Sequence, residues 1–176
     1  GFWKDSTSGA ADVCIACTAV VGAADDASYT CSSADNSRVS SCADGFWKDS
    51  SATADVCTQC TTVTNAAPDA SYTCSTADNS RVSACSDGFH LVAGSSSTLD
   101  ACTACVDQTG CASHGSVCSS AAGHETEKEC QTASPGYFVS GGIATQCTAV
   151  QDASSVTCAA LSNRRATCSP GYYVTD

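Results

Sequence analysis

Short alternating stretches separated by turn-forming residues run along the whole chain. Residues 28–31 and 38–40 flank the turn formers at 34–37, which predicts a small β-hairpin, and residues 71–83 repeat the pattern. No apolar segment approaches the roughly 18 residues of a membrane-spanning helix. The pattern therefore predicts short strands and tight turns, with no membrane span in this segment.

The second strong pattern is internal repetition. Residues 14–42 and 57–85 are identical at 21 of 29 positions, and their four cysteines are displaced by 43. A third unit opens with Cys102-Thr-Ala-Cys105, and a fourth is degenerate. Tandem copies favour an elongated rod in which each module contacts mainly its neighbours. The predicted boundaries are residues 1–42 for repeat 1, 43–85 for repeat 2, 86–130 for repeat 3 (with Cys85, six cysteines), and 131–176 for degenerate repeat 4 with the start of another.

A glycine followed by two large, mostly aromatic residues recurs along the chain. We expect one ring of each pair to pack over a nearby disulfide and the second to contact a neighbouring module or subunit. The markers begin at Gly1-Phe2-Trp3, Gly45-Phe46-Trp47, Gly88-Phe89-His90, Gly136-Tyr137-Phe138 and Gly171-Tyr172-Tyr173.

Composition explains how such modules hold together. The chain has 16 cysteines in 176 residues, whereas Leu, Ile, Val and Phe together make up only about 13%. That content is too low for one wide core and is typical of a disulfide scaffold. The expected fold class is a small, disulfide-rich, mostly irregular fold with short β-hairpins in tandem modules. An even, dense cysteine count predicts an extracellular or cell-surface location.

The unequal repeats indicate which cysteines pair. The fourth unit has lost both the cysteine before its marker (now Ala133) and the first cysteine of its CxxC (now Ala144). Joint loss suggests that these two positions bond to each other. The favoured scheme is Cys17–Cys31, Cys42–Cys57, Cys60–Cys74, Cys85–Cys102, Cys105–Cys118, Cys111–Cys130 and Cys147–Cys158. A rival scheme, first with third and second with fourth cysteine in each unit, also balances in number and stays open.

The favoured scheme leaves Cys14 and Cys168 without internal partners. Either the polypeptide continues on both sides, or Cys168 bonds Cys14 of another copy in a head-to-tail contact that generates an open filament. In both cases we expect the inter-module contact to include Phe2, Trp3, Tyr172 and Tyr173. No signal segment opens the chain and Met is absent, so we expect a mature product or a segment of a longer polypeptide.

Charge and candidate chemistry narrow the function classes. A net charge of −11 with only seven basic residues argues against nucleic acid as a partner. Cysteine pairs at CxxC spacing are compatible with zinc, but a unit that lost one of four ligands argues against it. His114 is expected to be a solvated loop residue. We predict no catalytic residues, no metal and no cofactor, hence no enzyme activity.

The surface is rich in hydroxyl groups, with 48 Ser and Thr residues. None of the four asparagines has a Ser or Thr two residues later, so there is no N-glycosylation sequon. We therefore expect any glycans to be O-linked.

The cysteine and marker pattern resembles known module families. C-x-x-G-aromatic, CxxC and two further cysteines look like the cysteine-rich modules of tumour-necrosis-factor receptors and ephrin-receptor-like repeats; residues 85–130 carry the six-cysteine version. The amino-acid sequence at residues 17–20, 27–31 and 45–48 resembles cysteine-rich repeat surface proteins of protists and algae more closely than it resembles those receptor modules. This group includes ciliate surface antigens and flagellar mastigoneme components.

The resemblance implies a non-enzymatic structural role in an extracellular fibre, flagellar hair or cell-surface coat. The alternative is a receptor-like ectodomain that binds a ligand. Near-identical repeats favour the scaffold, because a binding face usually diversifies its loops, and repeats 1 and 2 have not diversified.

Overall fold

The computed structural model describes residues 1–6 and 12–173. Within them the chain forms short antiparallel two-stranded sheets and no helix. The small, disulfide-rich, hairpin-rich fold predicted above is thereby confirmed. The strands are β1 (Phe2–Asp5), β2 (Val13–Ala16), β3 (Tyr29–Thr30), β4 (Arg38–Val39), β5 (Phe46–Asp49), β6 (Val56–Gln59), β7 (Tyr72–Thr73), β8 (Arg81–Val82), β9 (Phe89–Val92), β10 (Ala101–Ala104), β11 (Cys111–Cys118), β12 (Lys128–Ala133), β13 (Tyr137–Ser140), β14 (Ile143–Gln146), β15 (Ala153–Cys158) and β16 (Arg164–Cys168).

The first three markers each open a strand that pairs with the strand of the following CxxC, and the fourth, at Gly136, opens β13, which pairs with β14. In β5–β6, Phe46 lies opposite Gln59 and Asp49 opposite Val56, and β1–β2 has the same register. The glycine before the strand has a positive φ, 78° at Gly45 and 83° at Gly136. A residue with a Cβ is strained in that conformation, which explains why glycine begins the marker.

A second, smaller hairpin completes each of the first two repeats. Tyr29 pairs with Val39 and Thr30 with Arg38, which confirms the predicted hairpin. The turn between them is closed by Asn36, whose Oδ1 accepts hydrogen bonds from the N–H groups of Ser32 (2.9 Å) and Ser33 (3.0 Å). An asparagine that bonds backbone in this way favours a turn over a longer strand.

Cysteine and valine make up the buried apolar groups of the described residues. Val39, Val63 and Val82 are 4%, 7% and 5% exposed, and the other buried apolar residues are cysteines: Cys57, Cys60, Cys102, Cys105, Cys130 and Cys147. Large apolar side chains such as Phe2 and Val21 remain exposed. The modules are therefore held by disulfides more than by a hydrophobic core.

The chain divides into two compact units. The first comprises Gly1–Cys85 and Leu91–Cys102, and the second Ser86–His90 and Thr103–Asp176. The division falls inside repeat 3, within the hairpin of β9 and β10. The four repeat boundaries and the elongated arrangement stay predictions from the sequence period.

Candidate assembly sites at the repeat junctions

Seven disulfides link the described cysteines, and they are the pairs of the favoured scheme rather than the rival one. Their Cα–Cα distances of 5.6–5.9 Å are normal for the bond. The bonds join Cys17–Cys31, Cys42–Cys57, Cys60–Cys74, Cys85–Cys102, Cys105–Cys118, Cys111–Cys130 and Cys147–Cys158. Cys14 is exposed and Cys168 half-buried, and both are unbonded.

We call the place where the small hairpin of one repeat meets the CxxC strand of the next a junction. The first junction contains the Cys42–Cys57 bond and the second the Cys85–Cys102 bond. The phenyl ring of Phe46 lies next to Gly22 at the first junction, as does the Cβ of Cys57. One marker ring therefore packs beside a junction disulfide, as expected.

An ion pair with a buried carboxylate accompanies the disulfide at the first junction. Asp55 is 5% exposed, and its Oδ1 lies 2.7 Å from Nη1 of Arg38. Its Oδ2 accepts the backbone N–H of Val39 at 2.9 Å. Arg38 also donates to the carbonyl oxygens of Ser50 (3.2 Å) and Ala52 (2.9 Å). We call this arrangement, an aspartate that holds both the guanidinium and the next N–H of a small hairpin, the Arg–Asp clasp.

The clasp lowers the pKa of its carboxyl group. Burial by itself raises the pKa of Asp55, but hydrogen bonds from Arg38, from the N–H of Val39 and from Ser50, with the positive charge of Arg38, outweigh it. The resulting pKa is about 2, against an ordinary value of 3.8. The carboxylate thus stays charged in neutral solution.

The second junction repeats the clasp. Asp100 is 6% exposed, its Oδ1 lies 2.7 Å from Nη1 of Arg81, and its Oδ2 accepts the N–H of Val82 at 3.0 Å. The N–H of Gly94 donates to Oδ1 at 2.8 Å, and Arg81 also donates to the carbonyl oxygen of Ser95. Burial again raises the pKa of Asp100, while these donors lower it below its ordinary value overall.

The clasp was not predicted from the sequence, although the spacing of its charged residues relative to the junction cysteines indicates it. Each aspartate lies two residues before the first cysteine of a CxxC, at Asp12, Asp55 and Asp100. Each arginine lies four residues before the cysteine that bonds there, at Arg38 and Arg81. Comparing charges as well as cysteines across the repeats would have indicated the pairs.

A third junction lies in the second unit and is built differently. Here Ala133 and Ala144 replace the bonded cysteines, Glu129 stands in the arginine's place and Gly142 in the aspartate's. A side chain at Gly142 would collide with Glu129, since an added Cβ would lie 2.8 Å from its Cγ. The disulfide, the arginine and the aspartate are thus all absent together from this junction.

A buried amide replaces them. Gln108 is 5% exposed, and its Nε2 donates to the carbonyl oxygens of Lys128 (2.7 Å) and Gly142 (2.9 Å). Its Oε1 accepts the N–H of Ala144 at 2.9 Å. We call this the Gln108 clamp. It satisfies three backbone groups with one neutral side chain.

His114 supports the clamp, and its sequence-based interpretation as a solvated loop residue is wrong. The imidazole side chain is 17% exposed, and its Nε2 accepts the backbone N–H of Gln108 at 3.0 Å. Nδ1 lies 4.0 Å from the carboxylate of Asp107. The packing of β11 against Gln108, which no local pattern reports, makes His114 structural.

The free cysteine at residue 14 stands beside the third aspartate of the series. Asp12 forms an ion pair with Nζ of Lys4 at 2.5 Å and accepts from Oγ of Ser6 at 2.9 Å, and these two hydrogen bonds lower its pKa. The Asp12 side chain is 54% exposed, in contrast to its counterparts in the two clasps.

The predicted inter-module aromatic residues are mostly exposed. Phe2, Tyr172 and Tyr173 are 72%, 57% and 83% exposed, whereas Trp3 is half-buried. Their contact with a further module stays a prediction, as do the contacts of Cys14 and Cys168.

The described part of the chain was also compared with the requirements of a metal site, a CxxC site and a membrane span. It contains no cluster of three or more His, Cys, Asp or Glu residues placed to hold a metal ion. The two cysteines of each complete CxxC at 57–60 and 102–105 enter different disulfides. No helix in the described residues has the length and apolar character needed to cross a membrane.

Comparison of the chain with protein-family models, with curated proteins and with solved structures finds no match. The seven disulfides are typical of a protein in an oxidising compartment, which indicates a secreted or extracellular protein.

Proposed function

We propose that this chain is a non-enzymatic structural subunit or segment of an extracellular fibre, flagellar hair or cell-surface coat, and that copies join head to tail through Cys168 and Cys14. One observation carries the proposal. Cys14 occupies the CxxC position that Cys57 fills at the first junction, and Cys168 occupies the pre-marker position that Cys42 fills there. The two unbonded thiols therefore occupy the two complementary positions of a junction disulfide, one at each position.

The bond between copies is an ordinary disulfide. The thiols of Cys168 and of another copy's Cys14 give up two protons and two electrons as the sulfur–sulfur bond forms. A low-molecular-weight disulfide of the glutathione type accepts them and leaves as two thiols. Because the two halves differ, the contact is heterologous and extends into an open filament.

Sameness of the first two repeats favours the scaffold over a receptor. The hydroxyl of Thr18 donates to the carbonyl oxygen of Ala34 at 2.6 Å, and Thr61 donates to Ala77 at the same distance. Asn36 and Asn79 close their turns with identical bonds. A ligand-binding face requires loops that differ, whereas a repeating scaffold requires only that modules stack. Kinship with the cysteine-rich repeat surface proteins of protists and algae is part of this proposal.

The same proposal includes O-linked glycans on the exposed Ser and Thr residues. Charged residues make up only 14% of the chain, so sugars would add solubility and protease resistance. Intact mass spectrometry of native protein should give more than the 17.6 kDa of the bare chain. A mass equal to the chain less the protons lost to disulfides would remove glycans from the proposal.

Electron microscopy and gel electrophoresis test the central part. Native material in negative stain should show fibres, and a non-reducing gel should show a ladder that collapses to one band with reductant. Isolated particles that bind a purified ligand, with no ladder, would favour the receptor-like alternative instead.

A further inference from the structure

The hairpin that carries Cys168 also carries an arginine in the clasp position. In β15–β16 Thr157 lies opposite Arg165, as Thr30 lies opposite Arg38 and Thr73 opposite Arg81. Asn163 closes this turn by accepting the N–H groups of two residues that follow a bonded cysteine, as Asn36 does. Both alignments, by strand register and by turn, make Arg165 the equivalent of Arg38. Spacing to the cysteine differs by one residue here, because Arg165 lies three residues before Cys168, whereas Arg38 lies four before Cys42.

Arg165 is exposed and has no carboxylate partner among the residues that the structure describes. Asp12, in the other half-junction, has the clasp position but holds Lys4 instead of an arginine. At the first junction the equivalent lysine, Lys48, contacts the small hairpin by donating to the carbonyl oxygen of Val39 at 3.2 Å. The lysine therefore has a second position available once an arginine arrives.

We infer that Arg165 of one copy forms an Arg–Asp clasp with Asp12 of a second copy, and that this clasp positions Cys168 beside Cys14 before the disulfide forms. The inference rests on the proposed head-to-tail function and adds the recognition step. Lys4 of the second copy then releases Asp12 and donates to the carbonyl oxygen of Ala166, as Lys48 does to that of Val39. Asp12 is partly exposed when free and becomes buried in the clasp.

The third junction strengthens this assignment. Where the disulfide is absent inside the chain, the arginine and aspartate are absent too, replaced by Glu129 and Gly142. The half-junctions with free thiols retain both members: Arg165 with Cys168, and Asp12 with Cys14. Clasp residues thus accompany junction cysteines at every position, which is expected if the half-junctions close in the same way as the first two.

The charge of the Arg164–Arg165 pair and the groove beside Cys168 both fit a second copy of the chain as the partner. Arg164 and Arg165 are the one adjacent basic pair in a chain of net charge −11, so they attract an acidic second copy. A groove of about 330 Å³ lies beside Cys168, lined in part by Asp152 and Tyr172. Asp152 has the positive φ (55°) of its counterpart Gly22 (78°), beside which Phe46 and Cys57 pack at the first junction. The groove therefore matches the place that Phe2 and Cys14 of a second copy would take, with exposed Tyr172 moving aside.

A two-component assay isolates one half-junction on each chain. The donor is Cys14→Ser, which keeps the Cys168 thiol, and the acceptor is Cys168→Ser, which keeps the Cys14 thiol. They are mixed in glutathione buffer at low salt, and the rate of mixed-dimer formation is followed on non-reducing gels. Peptide mapping checks that each variant retains its seven internal disulfides.

Charge variants then test the clasp. Arg165→Glu in the donor, or Asp12→Arg in the acceptor, should slow mixed-dimer formation about tenfold, and the two variants together should restore most of the rate. Arg164→Glu is the matched control, because it makes the same charge change at the neighbouring residue, which lies opposite Cys158 rather than at the clasp position. It should change the rate by about twofold or less.

The outcomes separate the two proposals. No Cys14–Cys168 dimer from the unmodified donor and acceptor would defeat the head-to-tail function itself. Dimers that form at the same rate with Arg165→Glu, or that Arg164→Glu slows equally, would overturn the clasp and leave the disulfide contact standing. Loss at residue 165 with recovery in the reversed pair supports the inference.

Discussion

The first compact unit and the second close their junctions with different chemistry. In the first, a disulfide and a charged Arg–Asp clasp lie side by side, as with Cys85–Cys102 and Arg81–Asp100. In the second, the neutral Gln108 clamp joins β12 to β14 with no junction disulfide. Each solution satisfies buried backbone groups, so a module with little apolar core requires polar side chains at its junctions.

The difference shows that the junction disulfide, the arginine and the aspartate are replaced together. A lone aspartate at residue 142 would lie against Glu129 and have no arginine, which would leave a buried charge unpaired. An unpaired cysteine at 133 or 144 would leave a thiol free for misfolding. Replacing every member at once, with an amide that bonds three backbone groups, avoids both costs.

Reduction should have the largest effect and should reach both units. Each native disulfide in such a chain contributes about 2–5 kcal/mol, so excess reductant should abolish the β-sheet circular dichroism and protease resistance. The Gln108 clamp should open as well, because Gln108 lies between Cys105 and Cys111, whose bonds hold its segment. Hydrogen exchange at Ala144 measures this. EDTA is the control and should change nothing, and an Ala144 amide that stays protected in reductant would show that the clamp stands without its flanking bonds.

Loss of the Gln108 side-chain amide should have the second-largest effect on stability. Gln108→Ala removes the Nε2 donor to the carbonyl oxygens of Lys128 and Gly142 and the acceptor of the Ala144 N–H, although Gly142 keeps the N–H of Cys130. It should lower the free energy of unfolding by about 1–3 kcal/mol. Urea titration measures it, with hydrogen exchange to locate the change in the second unit. Gln108→Glu keeps an acceptor for Ala144 but turns a carboxylate oxygen toward two carbonyl oxygens, so it should destabilise at least as much as Gln108→Ala. An effect no larger than that of an exposed glutamine, such as Gln59→Ala, would contradict the clamp.

Acid should affect the Arg–Asp clasps but not the Gln108 clamp. The folded pKa of Asp55 is about 2, below its ordinary 3.8, so its stabilising contribution is complete above about pH 4 and is lost as the pH falls through about 2. The backbone amide signal of Val39 should shift in NMR spectra over that range as its carboxylate acceptor protonates. The signal of Val82 should also shift in acid, because the pKa of Asp100 is lowered as well. The Ala144 amide should not shift, because Gln108 does not titrate there. Asp55→Asn is the control, and in this variant the chemical shift of the Val39 amide should not change with pH over the same range.

The smallest expected effect concerns a buried hydroxyl at the second junction. Ser80 is 0% exposed, and its Oγ has no hydrogen-bond partner among the described residues, although its carbonyl oxygen accepts the N–H of Asp100. Ser80→Ala should therefore leave stability unchanged or raise it by up to about 1 kcal/mol in urea titration. A clear loss would mean that the hydroxyl has a partner in solution. Ser83→Ala, which removes a bond to the Ser71 N–H, should destabilise instead.

What the sequence could predict depends on repetition. The junction disulfides Cys42–Cys57 and Cys85–Cys102 were favoured by the joint loss at Ala133 and Ala144, because one unit with two losses reports on its intact relatives, but the structure was needed to choose between the two schemes. The small hairpins followed from local turn residues. The Arg38–Asp55 clasp joins residues 17 apart, and only a comparison of charges between repeats points to it. The Gln108 clamp and the half-buried His114 occur once in the chain, so no internal copy could have revealed them.

The pairing of Cys14 with Cys168 between molecules is tested most directly by isotope mixing. Equal amounts of ¹⁴N- and ¹⁵N-labelled chain are oxidised together and digested, and the linked Cys14–Cys168 peptides are weighed by mass spectrometry. Bonding between copies predicts about half of these peptides with one light and one heavy partner. Linked peptides that are only all-light or all-heavy would place the bond within one molecule, and the absence of any Cys14–Cys168 peptide would equally contradict head-to-tail assembly.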